Sequence, residues 1–130
     1  VRFIELMPMG HLKDWAVKHF VSADRVLREC PLLIPEKSAG IAELYRIPGY
    51  KGTVGLIRPM SRRFCGSCSR LRLTADGMLK PCLHSDLEIP LKGLSDEALS
   101  RMIKEAIQRK PPHSCFDEAR CGRDMNEIGG

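Results

Sequence analysis

The residues from Phe64 to Leu83 constrain this chain most. Cys65 and Cys68 form a C-x-x-C pair, and thirteen residues separate Cys68 from Cys82. Between them Leu71 and Leu73 alternate with Arg70, Arg72 and Thr74, and Asp76-Gly77 supplies a positive-φ turn before Met78 to Leu83 returns. This pattern predicts a β-hairpin. A hairpin brings its ends together, so Cys82 is expected beside the C-x-x-C knuckle, giving one soft-metal site from three thiolates. Successive strand side chains alternate, which puts Arg70 and Arg72 on one face next to that site.

The donor set leaves the metal open. Structural zinc takes four protein ligands, and His84, Cys115 and Cys121 are the candidates for the fourth. An iron–sulfur cubane also takes cysteine ligands, and three of them leave one iron open to a substrate. On spacing alone zinc ranks first, the cluster second and a redox disulfide third. The bland reading of Cys30, on a helix face of its own, is a small core residue.

Composition narrows the partners. There are 21 basic against 16 acidic residues, and much of the net +5 sits at Arg58, Arg62, Arg63, Arg70 and Arg72, flanking the knuckle. That excess suits phosphates or nucleic acid, with a solvated basic face as the plain alternative. Only 5% of residues are aromatic, and near the knuckle Phe64 has no interleaved aromatic partners, which counts against stacking on bases. No signal peptide, transit-like segment or membrane-length apolar run is present, so no membrane partner is expected. Six cysteines outside a secretory context point to metal or redox chemistry rather than a disulfide framework. At 130 residues and 43% hydrophobic composition the chain suits one domain or slightly more.

Along the chain, Val1 to Met7 is an apolar run stopped by Pro8 and Gly10. It reads as a strand buried on both faces, as in the last strand of a parallel sheet or barrel. With no initiator Met and no lead-in, the sequence is expected to be cut from something longer. His11 to Phe20 reads as loop or a helical turn. Ser22 reads as an N-cap for a helix presenting Ala23, Val26, Leu27 and Cys30 on one face, closed by Pro31. Leu32 to Gly40 reads as a Pro-containing loop. Leu44 to Ile47 and Thr53 to Ile57 read as a second hairpin across Pro48 to Gly52. Ser95 caps the best helix, whose stripe is Leu99, Met102, Ile103, Ala106 and Ile107, stopped by Pro111-Pro112. The fold class is therefore α+β.

Phe64-Cys65-x-x-Cys68-x-Arg70-Leu71-Arg72-Leu73-Thr74-Ala75-Asp76-Gly77, followed by Cys82-Leu83, resembles the C-terminal signature of the GTP 3′,8-cyclase family. These are the radical S-adenosylmethionine enzymes that open molybdenum cofactor biosynthesis. Arg2-Phe3-Ile4-Glu5-x-Met7-Pro8, Lys110-Pro111-Pro112-His113 and the terminal Gly129-Gly130 match the same family, so the resemblance reaches both ends. It moves the metal assignment from zinc to the cluster.

The resemblance implies that Cys65, Cys68 and Cys82 hold a second [4Fe–4S] cluster whose open iron meets the guanine of GTP. It implies that Arg70, Leu71, Arg72 and Arg2 contact GTP, and that Met7 touches S-adenosylmethionine. Gly129-Gly130 corresponds to a tail reaching the active site, although from sequence alone an ordinary frayed terminus is the favoured reading. Residues 1–30 become the end of an incomplete (β/α) barrel, and residues 31–130 a C-terminal domain of antiparallel hairpins and helices bearing the cluster. The family's C-x-x-x-C-x-x-C motif is absent, so no 5′-deoxyadenosyl radical and no catalysis are expected from this chain alone. Its expected partners are GTP, the N-terminal barrel of the same protein and, in a homodimer, a second copy. The expected compartment is the bacterial cytoplasm, or the mitochondrial matrix in a eukaryote. The rival is a zinc-stapled basic module that binds nucleic acid.

Overall fold

The computed structural model describes residues 1–110 and 122–128. The expectations for Pro111, Pro112, His113, Cys115, Cys121, Gly129 and Gly130 fall outside the described residues. The fold is mixed α and β, in two compact units. Val1–Met7 joins Trp15–Phe64 in the first, and Pro8–Asp14 joins the chain from Cys65 onward in the second.

The first unit is a four-stranded sheet in the order β1-β4-β3-β2. Its strands are β1 (Arg2–Ile4), β2 (Ile34–Glu36), β3 (Glu43–Arg46) and β4 (Thr53–Ile57). β3 and β4 form the expected hairpin, with Tyr45 opposite Val54, and Gly49 takes a φ of 84° in the connection. β1 lies parallel to β4, with Phe3 opposite Leu56. Helix α1 spans Lys13–Lys18, where a loop or a helical turn was expected, and its residues from Trp15 on belong to this unit. Helix α2 (Asp24–Glu29) presents Ala23, Val26 and Leu27 to a core with Tyr45 and Leu56. Ser22 accepts from the Asp24 N–H at 3.2 Å, one residue ahead of the cap position that Ala23 takes.

Two expectations in this unit change. The first strand covers only Arg2–Ile4, and Phe3 and Ile4 are 43% and 59% exposed rather than buried on both faces. Among the described residues β1 is an outermost strand paired with β4 alone, which leaves its other edge and the flanking side chains uncovered. Leu32 to Gly40 is not all loop, since Ile34–Glu36 pairs with β3. Pro35 hides that strand from a propensity reading, and it is tolerated because β2 is also an edge.

The second unit is a three-stranded antiparallel meander of β5 (Arg72–Leu73), β6 (Met78–Lys80) and β7 (Ile89–Pro90). The hairpin between Cys68 and Cys82 forms as expected. Gly77 sits at φ 87°, and the buried Thr74 closes the turn by accepting from the Met78 N–H at 2.9 Å. Helix α3 (Asp96–Gln108) is capped by Ser95, whose hydroxyl accepts from the Ala98 N–H at 3.4 Å. Its stripe packs Ala106, Met102 and Ile103 against Leu79 and Ile89, while Ile107 stays 53% exposed at the edge of the stripe.

Candidate functional site

The knuckle begins as a tight turn. Cys65–Ser67 forms one 3-10 turn, and the Cys68 N–H donates to the Cys65 carbonyl at 3.1 Å. β5 starts only at Arg72, so both thiols stand ahead of the ladder. On the return side β6 ends at Lys80, the fully buried Pro81 follows, and Cys82 comes next. All three cysteines are half-buried free thiols, as is Cys30.

The hairpin does not draw the three thiols into a closed set. Among the described residues no three His, Cys, Asp or Glu side chains come close enough together to hold a metal ion. The paired ladder is short: Arg72 faces Lys80 and Leu73 faces Leu79, so Cys65, Cys68 and Cys82 all lie beyond its end, where no ladder bond fixes their spacing. In its chemistry the donor set still fits an iron–sulfur cluster: reduced, partly accessible thiols, two at a tight turn and one just past the adjoining strand. Cluster assembly would then have to draw Cys82 toward the turn, a coupling of metal binding to local order that is general for metal sites.

The strand after the knuckle supplies the charge. Arg70, Leu71, Arg72 and Leu73 line an open cavity of about 340 Å³. Arg70 is exposed, whereas Leu71 and Arg72 are half-buried. Lys110, just past α3, folds back over this stretch. Its ammonium donates to the Arg70 carbonyl and to the Cys68 Sγ, the latter at 3.6 Å. His84 is buried, which pushes its imidazole down to about 4 and keeps the ring neutral at pH 7.

Other charged residues that went unremarked in the sequence are structural. Lys80, 1% exposed, donates to the Ser85 carbonyl at 2.8 Å and to Glu88 at 3.1 Å. Arg123 then joins Glu88 at 2.7 Å to Asp76 at 2.9 Å, tying the segment after residue 121 to the hairpin turn. Hydrogen bonds from Thr74 and Arg123 hold the Asp76 carboxyl down at about 2. Asp124 accepts from the His11 N–H at 3.1 Å and pairs with its ring at 2.7 Å. Gly10 makes room for that contact: its φ is 54°, and a Cβ would fall 1.8 Å from Asp124 Oδ1. Ile128, next in this segment, is fully buried.

The first unit carries Arg2 and Met7. Arg2 is exposed on β1. Its side chain runs across Gly55, where a Cβ would lie 2.4 Å from Arg2 Cδ, and its guanidinium donates to the Val1 carbonyl at 3.0 Å. Met7 is half-buried at the end of the same stretch. Between them Glu5 is 3% exposed, and its carboxylate accepts from the N–H groups of Ala23 (3.0 Å), Met60 (3.0 Å) and Ser61 (2.8 Å) and from the Ser61 hydroxyl. Burial alone would raise this carboxyl, but the bonds from Ser61, Ala23 and Met60 together outweigh it and hold the group below its ordinary range. Arg58, 2% exposed, donates to Asp24 and Glu43. A sequence signal for Glu5 existed, since it stands inside the Arg2-to-Pro8 match. Arg58 had none beyond its charge.

With this geometry in place, the chain can be set beside known proteins. Residues 1–116 match the family described as Molybdenum Cofactor Synthesis C. A GTP 3′,8-cyclase of Peptoclostridium acidaminophilum is 48% identical over 137 residues, covering 100% of this chain and 42% of the relative. GTP 3′,8-cyclases of Alkaliphilus metalliredigens and Desulforamulus reducens are 44% and 43% identical, again across the whole chain and over 43% and 44% of their own lengths. The chain thus spans less than half the length of these relatives. Among the described residues no helix is long and apolar enough to cross a membrane. Knuckle, arginine strand and β1 segment all lie within the matched residues, and the chain belongs to the Molybdenum Cofactor Synthesis C family.

Proposed function

We propose that this chain is the C-terminal part of a GTP 3′,8-cyclase, holding a [4Fe–4S] cluster through Cys65, Cys68 and Cys82 and contacting GTP through Arg70, Leu71 and Arg72. The observation that carries the reading is the juxtaposition, on one short hairpin, of free thiols and a cavity lined by Arg70 to Leu73, in a chain aligned end to end with enzymes of that name. When bound, the cluster supplies an iron with an open position for the guanine. The chain's own residues do the rest. Arg70 and Arg72 offer planar, permanently charged donors suited to bidentate contact with phosphate oxygens. Leu71 supplies an apolar contact between them.

Arg2 is a further proposed contact to GTP and Met7 to S-adenosylmethionine. Residues 1–30 would be the end of a radical-generating barrel completed by the N-terminal part of the enzyme, and residues 31–130 the domain that follows it. The uncovered edge of β1, with Phe3 and Ile4 exposed, supports that reading. The C-x-x-x-C-x-x-C motif is not in this sequence, so the chain by itself should make neither deoxyadenosine nor cyclised nucleotide from GTP, S-adenosylmethionine and reductant.

Iron and sulfide analysis tests the assignment. The intact enzyme, anaerobically reconstituted after its N-terminal motif cysteines are changed to Ser, should retain about four irons and four sulfides. Cys65→Ser, Cys68→Ser or Cys82→Ser should each abolish them, and Cys30→Ser should not. Stoichiometric zinc without iron uptake would refute the cluster.

A further inference from the structure

The Lys110 side chain makes contacts that a solvated helix-end lysine does not need. Its backbone N–H still bonds the Ile107 carbonyl at 3.2 Å, so the residue continues the end of α3. That helix is fixed by Ala106, Met102 and Ile103 in the core of the second unit. A rigid element therefore delivers the amine, and the half-buried side chain reaches back to two acceptors in the knuckle, the Arg70 carbonyl and the Cys68 sulfur. Holding a long lysine chain in one rotamer opposes its entropy, so the two contacts must offset that cost. The ammonium is a charge-assisted donor, and a thiolate sulfur accepts from it far better than a neutral thiol does.

We propose that Lys110 is a positioning residue for the cluster assigned above. Its ammonium hydrogen-bonds the Cys68 ligand sulfur, and through the Arg70 carbonyl it fixes the backbone that joins the knuckle to the arginine strand. The inference rests on the cluster reading. Hydrogen bonds and positive charge at ligand sulfurs withdraw electron density and favour the more negative, reduced cluster, so they raise its potential. Lys110 also closes one side of the ligand set, opposing loss of iron.

The test uses the intact enzyme with its N-terminal motif cysteines changed to Ser, so that the remaining cluster is the one read. Lys110→Met keeps the length and removes the charged donor, and Lys110→Arg restores it. In redox titrations followed by electron paramagnetic resonance, Lys110→Met should lower the potential by about 59 mV, a tenfold change in a one-electron equilibrium. Iron release to a chelator should be roughly tenfold faster, in line with losses typical when a ligand's supporting partner is removed. Lys110→Arg should return both towards the parent values. A Lys110→Met protein with full iron, parent potential and parent release rate overturns the proposal while leaving the cluster reading intact. If Lys110→Met retains no iron, Lys110→Arg decides: iron kept by the arginine variant supports donation, and iron lost from both overturns it. A parent enzyme that takes up no iron overturns the cluster reading and this inference with it.

Discussion

Glu5 and Arg58 in the first unit, and Arg70 and Arg72 in the second, are charged residues used in opposite ways. Glu5 is 3% exposed and meets three backbone N–H groups and a hydroxyl, and Arg58 is 2% exposed against two carboxylates. Arg70 is exposed, Arg72 is half-buried, and both line an open cavity. The contrast is between stretches rather than units, because Lys80, Glu88 and Arg123 form a closed network of their own in the second. It teaches that a basic excess in a sequence has two destinations. Arg58 is consumed by the fold, paired with Asp24 and Glu43, whereas Arg70 and Arg72 line an open cavity.

The largest test of this contrast removes the structural carboxylate. Glu5→Ala leaves the buried N–H of Ala23 and the part-buried N–H groups of Met60 and Ser61 without their acceptor. Each such orphan costs about 1–3 kcal/mol, and the loss of a buried, multiply bonded charge costs about 3–5 kcal/mol in all. Amide hydrogen exchange in the intact enzyme should show deprotection around Ala23 and Ser61. Iron content of the second unit should hold. Unchanged protection at those amides would mean that Glu5 is replaceable by water and that the contrast with Arg70 is one of degree.

How far the sequence foretold this molecule depends on what kind of signal each element carries. The hairpin of β5 and β6 was legible because alternation, Asp76-Gly77 and flanking cysteines act within a few residues. The α3 stripe and its Ser95 cap were legible for the same reason. Short range also explains the misses. Pro35 masks an edge strand that exists only because β3 offers it hydrogen bonds. An apolar run such as Val1 to Met7 suggests burial, yet β1 lies at the end of its sheet and leaves Phe3 and Ile4 exposed. The closed thiol triad was the boldest expectation. A hairpin does bring its ends together, but the ladder pairs only Arg72 with Lys80 and Leu73 with Leu79, and the three cysteines stand beyond its end, where no ladder bond sets their spacing. Lys110 meets Cys68 at a sequence separation of 42, which no local pattern encodes.

The middle-sized test addresses the other side of the contrast. Arg70→Ala and Arg72→Ala should each weaken GTP binding to the intact enzyme by about 1.5–3 kcal/mol, roughly ten- to a hundredfold. Lys at either position should recover part of that, since an ammonium keeps the charge without the planar fork. Stability should move by less than about 0.5 kcal/mol for Arg70→Ala, at an exposed position, and iron content should stay at the parent value in both variants. Isothermal titration with GTP reads the first effect. Parent-like affinity in the double Ala variant, with the cluster intact, would remove the arginines from the substrate site.

The smallest effect is linked to protons and isolates the charge of Glu5 from its shape. The folded carboxyl lies below its ordinary value of 4.5 because the bonds from Ser61, Ala23 and Met60 together exceed the opposing effect of burial. The unfolded chain therefore binds more protons than the folded one as pH falls from that value toward the folded one, and stability drops across this window. Above it the contribution is fully present. Glu5→Gln keeps an acceptor oxygen for the N–H groups but cannot titrate, so it should be less stable than the parent at pH 7 and lose less on acidification. The gap between the two proteins should narrow as the parent is protonated, and it should not change between pH 6 and 8. Exchange protection at Ala23 and Ser61 across pH 3 to 7 measures it locally, where titration of Asp76 or Glu88 in the second unit contributes least. A gap of constant size over that range would mean that the buried oxygens act as neutral acceptors, and Glu5 would then join the fold through geometry alone.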